Sequence, residues 1–162
     1  MKRLTLLTLG VLFLTLVVWA APWVHYENSR FGFQVIIPQG LVVTEKAEDG
    51  SGMTWQAGTF RVQVFGSNNP YGLTAGKWFA NVRASAGDRI VDERWSGAGV
   101  EPPWHEILYL KSGRRVHRKT YVGEGSVNTV EVSYAYKFRE EKQPLGQVVV
   151  DSLKPGDLSQ PR

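Results

Sequence analysis

The chain of 162 residues contains no cysteine. This absence excludes disulfide-stapled folds, thiol catalysis and thiolate metal sites. Histidine is scarce as well, and His25, His105 and His117 fall on different predicted elements, without the short spacing of a metal-binding pair. Isolated histidines on the surface or on an edge strand are the simpler interpretation. We therefore expect no metal ion and no organic cofactor in the core.

Signatures of catalysis are also missing. There is no Gly-x-Ser-x-Gly elbow, and the glycine pairs in 97–99 and 123–125 lack the strand-to-helix context of a phosphate loop. The acidic neighbours Asp92-Glu93 and Glu140-Glu141 are typical of solvated charge rather than of a hydrolase pair. His105 and Glu106 are adjacent on a predicted strand and point to opposite faces, so they cannot act together.

Charge of one sign is not in large excess. The chain has 19 basic and 15 acidic residues, and two of the basic ones are Lys2 and Arg3. That balance does not indicate a nucleic-acid partner. Lys2 and Arg3 precede the uncharged run 4–18, and Val18 and Ala20 place small side chains before a cleavage point, which is the layout of a secretory signal.

We expect a signal peptide at 1–20, a single α+β domain at 21–154 and a flexible tail at 155–162. The protein is then periplasmic or secreted, and an intact mass lacking residues 1–20 would test the cleavage. The alternative is that the apolar run stays as a membrane anchor, since it approaches the ~20 residues that a spanning helix needs. In that case the uncleaved segment is the only contact with the membrane.

Alternating apolar residues and turn signals predict mostly strands. The expected strands are Phe31–Ile37, Leu41–Glu45, Met53–Gln56, Phe60–Gly66, Arg89–Trp95, Trp104–Lys111, Arg114–Val122 and Val127–Phe138. Helical spacing predicts one helix over 75–86, capped by Thr74 and ended by Gly87, with Trp78, Phe79 and Val82 buried. A second helix is expected over 144–154, with Pro144 in its first turn. Short connections favour one antiparallel sheet flanked by these two helices.

The last two strands should form a hairpin whose register follows from its apolar residues. Val130, Val132 and Tyr134 share one face of the second strand, and Val116, Thr120 and Val122 share one face of the first. These faces coincide if the loop is 123–125, which places Val122 opposite Ser126 and His117 opposite Glu131.

The first strand of that hairpin is the most basic stretch of the chain. Between Lys111 and Lys119, five of nine residues are Lys or Arg, and no acid interrupts them. In the expected register Arg115, His117 and Lys119 share a face open to solvent, which would suit an acidic polymer, lipid headgroups or an acidic protein. The alternatives are a solvated strand face whose cations pair with acids elsewhere in the chain, or edge-strand lysines that block aggregation.

One stretch resembles known proteins. The segment 26–41 contains Tyr-x-Asn-x-Arg-Phe-Gly-Phe and then a proline-ended turn, and it resembles the opening of a group of uncharacterised exported bacterial proteins. The segments 64–69, 125–134 and 151–153 are similar to theirs as well. The opening also looks like that of PsbP/Mog1-like domains, which implies an antiparallel sheet flanked by helices. Tyr134-Ala135 stands where those domains usually have Tyr-Pro, and the resemblance assigns no functional residue.

Two functions are compatible with these features. The first is an exported, non-catalytic binding or accessory protein of the bacterial envelope, whose partner is an envelope protein or an anionic polymer or lipid surface. The second is an envelope hydrolase with a site assembled from scattered residues. A pocket with converging polar groups of shifted pKa would favour the hydrolase, and an open aromatic or basic face would favour the binding protein.

Overall fold

The structure is a computed structural model that describes residues 23–87, 89–97 and 99–162. The expected signal peptide lies outside these residues. The strands are β1 (Trp23–Glu27), β2 (Gln34–Pro38), β3 (Val42–Lys46), β4 (Gly52–Ala57), β5 (Phe60–Asn68), β6 (Ile90–Trp95), β7 (Trp104–Lys111), β8 (Arg114–Val122) and β9 (Ser126–Ala135). The α-helices are α1 (Ala75–Ala86) and α2 (Arg139–Asp151). None of the helices in the described ranges is long and apolar enough to cross a membrane.

Seven strands form one antiparallel sheet in the order β3-β4-β5-β9-β8-β7-β6. The α+β class, with a large antiparallel sheet and two helices, is therefore confirmed. The expectation of a single sheet is corrected, because β1 and β2 form a separate two-stranded sheet. The two edges of the large sheet are β3 and β6.

The sheet is covered on both faces, with a different helix on each. Val130, Val132 and Tyr134 of β9 pack with Val149 and Val150 of α2. Val127 of the same strand, by contrast, packs with α1 residue Phe79, and Val116 of β8 also packs with α1. Since successive side chains of a strand point to opposite faces, α1 and α2 lie on opposite sides of the sheet. We call these sides the α1 face and the α2 face.

The main core lies on the α2 face. The β1–β2 hairpin covers one part of that face, and the alternation expected from the sequence is confirmed because Phe33, Val35 and Ile37 are buried while Gln34 is exposed. Ser152, directly after α2, holds this layer to the helix, since its hydroxyl accepts a hydrogen bond of 3.0 Å from the Ile36 backbone N–H.

Helix α1 has the bounds that the sequence predicts. The Thr74 hydroxyl accepts from the Lys77 backbone N–H, and Gly87 ends the helix at φ +71°, a conformation that favours glycine. Phe79 and Val82 are buried as expected, while Trp78 is only half-buried.

Helix α2 begins earlier than predicted. Strand β9 ends at Ala135, residues 136–138 form a 3-10 turn, and the α-helix runs from Arg139, so Pro144 lies inside the helix instead of opening it. Tyr136 and Phe138 continue the alternation of β9, which is typical of a strand, so the sequence predicts a strand where the structure has this turn.

The Tyr-x-Asn-x-Arg-Phe-Gly-Phe motif builds a turn. The Asn28 side-chain oxygen accepts from the backbone N–H groups of Arg30 and Phe31, at 3.1 and 2.7 Å, and its amide donates to the Gly50 carbonyl at 2.9 Å. Gly32 has φ +71° in the same turn. The motif therefore has a structural role, because it closes the chain into β2 and places Phe31 in the core.

The C-terminal segment is packed, which corrects the prediction of a flexible tail at 155–162. Leu158 is buried, and its carbonyl accepts hydrogen bonds from the backbone N–H groups of Gly125 and Ser126. The Gly156 backbone N–H donates to the buried Asn128 side chain at 2.9 Å. The segment thus covers the β8–β9 turn.

Candidate functional site

The expected register of the β8–β9 hairpin is wrong. Val122 lies opposite Val127, and His117 lies opposite Val132 instead of Glu131. The Gly123 backbone N–H donates to the Ser126 carbonyl, which shortens the connection to two residues. The apolar residues of the two strands need not lie on the same face of the sheet, because a helix packs against each face.

The same shift removes the premise of an open basic face formed by Arg115, His117 and Lys119. The three side chains lie on the α2 face, where α2 packs against β8. His117 is 4% exposed and Lys119 is 9% exposed, whereas Arg115 is half-buried. The edge-strand alternative is wrong, because β8 is a central strand. A solvated face with cations paired to acids describes Arg118, which contacts Glu131, but not the buried His117 and Lys119.

The cations of β8 instead have separate partners on both faces. Arg114 donates to the carbonyls of Thr59 and Ser133. The Lys119 ammonium lies 5.0 Å from the centroid of the Trp104 ring. These contacts hold the side chains inside the fold, so the basic run does not form a continuous charged surface.

A buried carboxylate organises the α2 face near β6 and β7. One oxygen of Glu106, Oε1, is 2.8 Å from His117 Nε2 and 3.2 Å from Gln147 Nε2, and it also accepts a hydrogen bond from Arg94. These partners come from β8, α2 and β6. The carboxylate therefore ties three elements together at a position that is 4% exposed.

The electrostatic balance at Glu106 favours the ionised form. Burial by itself raises the pKa of the carboxyl, but hydrogen bonds from His117 and Gln147 and the charges of His117 and Arg94 outweigh it and lower the pKa to about 2. A carboxylate in this state is an acceptor that holds its neighbours, and it has no proton to donate near neutral pH.

This lowered pKa predicts a loss of stability in acid. The unfolded carboxyl titrates near 4.5, so the stabilisation is complete above that pH and is lost as the pH falls from about 5 towards 2. It amounts to about 3 kcal/mol of unfolding free energy. Urea unfolding at a series of pH values should show this slope in the native protein and a shallower one in Glu106→Gln. Parallel slopes in the two proteins would contradict the assignment.

A second carboxylate–histidine pair lies on the α1 face. His105 Nε2 is 2.9 Å from Glu93 Oε1, and Arg83 of α1 contacts the other oxygen of Glu93 at 3.1 Å. Burial lowers the pKa of His105 and outweighs the opposing effect of the hydrogen bond to Glu93. His105 Nε2 donates that hydrogen bond, because a carboxylate oxygen can only accept. His105 Nδ1 is buried and has no hydrogen-bond partner within the described residues.

Trp95 lies over this pair at the edge of the sheet. Its ring stacks on His105 with centroids 5.4 Å apart, and the ring of Phe79 from α1 is tilted against the histidine with centroids 4.9 Å apart. Trp95 nevertheless remains 53% exposed. The Glu93–Arg83 contact thus fixes a histidine that supports an exposed indole.

An open groove runs beside Trp95, between α1 and the edge strand β6. Two solvent-open depressions of about 350 and 590 Å³ share Ala80 and Arg83 and form this groove. We call it the β6 groove; its walls include Gly76, Phe79, Ala80, Arg83, Ala84 and Trp95. The lining near Trp95 is mainly apolar, and Arg83 supplies the charge.

Sequence reasoning missed the partners in both clusters. Glu93 is separated from His105 by 12 residues and Glu106 from His117 by 11, and each pair is joined across strands. The prediction that His105 and Glu106 point to opposite faces is confirmed. The interpretation of isolated surface histidines is wrong for these two histidines, and Glu93 is not a solvated charge, because its side chain is 13% exposed.

No group of three or more His, Asp or Glu side chains is placed to hold a metal ion within 23–87, 89–97 and 99–162. The absence of a metal or cofactor stays a prediction.

Comparison with known proteins gives a structural match without a sequence match. The chain matches no family model and no curated protein. It is similar to the solution structure of cyanobacterial PsbP (CyanoP) from Synechocystis sp. PCC 6803, with a TM-score of 0.61 over 86% of this chain and 95% of that one. The fold is PsbP-like. At 15% identity the similarity concerns the fold alone.

The PsbP-like fold supports the distant resemblance to PsbP-like domains, whereas the resemblance to exported bacterial proteins stays a prediction. The fold carries no residue assignment, so the β6 groove and the two carboxylate–histidine clusters must be interpreted from their own geometry.

Proposed function

We propose that this protein is an exported, non-catalytic binding or accessory protein of the bacterial envelope, and that it holds an extended segment of a protein partner in the β6 groove. The observation that carries the proposal is an exposed tryptophan in a groove that follows an edge strand. Export is supported by the layout of residues 1–20, with its basic start, apolar middle and small-residue end.

An edge strand beside a helix suits an extended peptide. The outer side of β6 has no neighbouring strand within the described residues, and the backbone of such an edge can pair with an added strand. Gly76, Ala80 and Ala84 are exposed and follow one another at four-residue spacing along α1. Their short side chains leave room for the side chains of a segment lying between helix and strand.

Trp95 has the properties of an anchor for that segment. It presents a large exposed ring on a rigid support, since His105 lies beneath it and Glu93 and Arg83 fix the histidine. Aromatic side chains that are held in place before binding contribute strongly at interfaces, because little side-chain entropy is lost. Arg83 gives the rim a positive charge for polar contacts.

The hydrolase alternative has weaker support. The pair with the most strongly shifted carboxyl, Glu106 and His117, is 4% exposed at each residue and bonded to its own neighbours beneath α2. A general acid or base must reach a substrate proton at hydrogen-bond distance. A buried pair whose facing atoms are already bonded is better suited to holding elements together.

Quantitative co-purification from the native envelope tests the proposal. A defined partner protein should co-purify with the native protein, and Trp95→Ala should bind it about 30-fold more weakly. This is the effect expected for an anchor residue that contributes ~2 kcal/mol or more. Val42→Ala is the matched control, because Val42 is 64% exposed on the opposite edge strand β3. Equal retention by native protein and Trp95→Ala, or an equal loss with Val42→Ala, would contradict the proposal.

A further inference from the structure

A second pocket lies on the α1 face, on the flank of α1 that is turned away from β6. It measures about 230 Å³ and lies between α1 and strands β5, β8 and β9. Its walls include Trp78 and Asn81 of α1 and Phe65 of β5, with Val82 and Ser85 of α1 beside them, and its floor is Arg118, Thr120 and Thr129. The floor residues are neighbours across the sheet, since Thr120 pairs with Thr129 and Arg118 with Glu131.

The floor has hydrogen-bonding capacity that the protein does not use. Thr120 and Thr129 are 1% and 3% exposed, and their hydroxyls contact each other at 3.1 Å, so one hydroxyl proton has no acceptor from this pair. Arg118 Nε is 3.0 Å from Glu131 Oε2, but its N–H does not point at that oxygen and makes no hydrogen bond within the described residues. These groups make the floor of the pocket polar, beneath walls that include two aromatic side chains.

The charge of the floor favours a neutral occupant. Arg118 and Glu131 form an ion pair with side chains 22% and 21% exposed, so the guanidinium is already compensated. An anion near Arg118 would be repelled by the adjacent carboxylate, and a cation near Glu131 would be repelled by the guanidinium. A ligand with hydroxyl groups can accept from Arg118 and can both donate to and accept from the threonine hydroxyls.

The walls favour a ring. Phe65 and Trp78 are both half-buried, and the Arg118 guanidinium lies 5.8 Å from the Phe65 ring centroid. Aromatic faces bind flat, partly apolar surfaces, and a sugar ring combines such a C–H surface with hydroxyls at its rim. The volume is below the roughly 300–1,000 Å³ of pockets for drug-sized ligands, which limits the occupant to about one ring.

We propose that this pocket binds one neutral sugar ring of a glycan. Phe65 and Trp78 contact the ring, and Arg118, Asn81 and the two threonines bind its hydroxyls. The site is separate from the β6 groove, which lies on the other flank of α1, so the two proposals can fail independently.

NMR titration with glucose, mannose, galactose and N-acetylglucosamine tests the site, and glucuronate serves as the charged match of glucose. At least one neutral sugar should cause saturable shifts at the Trp78 indole N–H, the Asn81 amide and the backbone amides of Thr120 and Thr129. Glucuronate should bind no tighter than glucose. The proposal is overturned if no neutral sugar shifts these signals up to about 50 mM, or if glucuronate binds more tightly.

Two variants locate the binding. Thr120→Val keeps the side-chain shape and removes a hydroxyl, and Arg118→Lys keeps the charge and removes the planar fork, so each should weaken sugar binding by at least about fivefold. Arg61→Lys is the matched control, because Arg61 forms a 3.0 Å ion pair with Glu45 on the same face of the sheet. Unchanged affinity in both test variants, or an equal loss in the control, would overturn the assignment.

Discussion

Glu106→Ala is expected to lower the free energy of unfolding by about 3–5 kcal/mol. The substitution leaves His117, Gln147 and Arg94 without their common acceptor at a site where Glu106 is 4% exposed. Unpaired polar groups in a buried environment pay their desolvation cost without compensation. Because the three partners lie on β8, α2 and β6, the loss should weaken the attachment of α2 to the β6 side of the sheet.

Urea denaturation followed by circular dichroism measures this effect. Glu45→Ala is the control, since Glu45 pairs with Arg61 in a contact whose side chains are 65% and 37% exposed. Exposed pairs contribute only about 0–1 kcal/mol, so this variant should stay close to the native protein. A loss of less than about 1 kcal/mol in Glu106→Ala would show that the buried cluster does not stabilise the fold.

Deleting residues 156–162 should cost about 3–5 kcal/mol, by loss of one buried leucine and of the hydrogen bonds around it. Leu158 is 6% exposed, and its carbonyl accepts from the Gly125 and Ser126 backbone N–H groups. The deletion also exposes the Asn128 side chain, which accepts from Gly156.

Two substitutions refine the test of the C-terminal segment. Leu158→Ala removes the buried side chain alone and should cost about 2–4 kcal/mol. Gly156→Ala should displace the segment, because a Cβ at this position would lie 2.0 Å from the Phe31 carbonyl oxygen. Denaturation midpoints equal to that of the native protein in both the deletion and Gly156→Ala would mean that the segment contributes nothing to stability.

The elements that could be predicted from the sequence are those with strong local signals. Helix α1 has an apolar stripe, a threonine cap and a glycine stop, and its bounds are confirmed. The alternation in β2 is confirmed for the same reason, because each buried residue on it is apolar. Local signals misplaced the start of α2, where aromatic residues in a 3-10 turn continue the pattern of the preceding strand.

The register of β8 and β9 depends on information that is not local. The prediction assumed that one face of the hairpin is apolar and the other is solvated. In the structure both faces are covered, so Val116 packs against α1 while Val132 packs against α2. Apolar residues of the hairpin therefore point to both faces of the sheet and do not determine which residues pair. The length of the turn determines the register instead.

The buried clusters illustrate the same limit. His105, Glu106 and His117 lie within apolar strands, and a charge in such a context is the signal that could have shown them as buried. Their partners come from other strands and from helices, at distances along the chain that no motif fixes. The β6 groove is likewise a product of topology, because α1 and β6 are brought side by side by the pairing of β6 with β7.

Site-specific photo-crosslinking in the native envelope tests partner binding in the β6 groove most directly. A photoreactive amino acid at Ala80 or Ala84, both exposed, should crosslink to one and the same protein, with adducts mapping to a short extended segment of it. The same probe at Val42 on the opposite edge should not crosslink to that protein. Adducts of equal yield at Val42, or none at either helix position, would contradict the account.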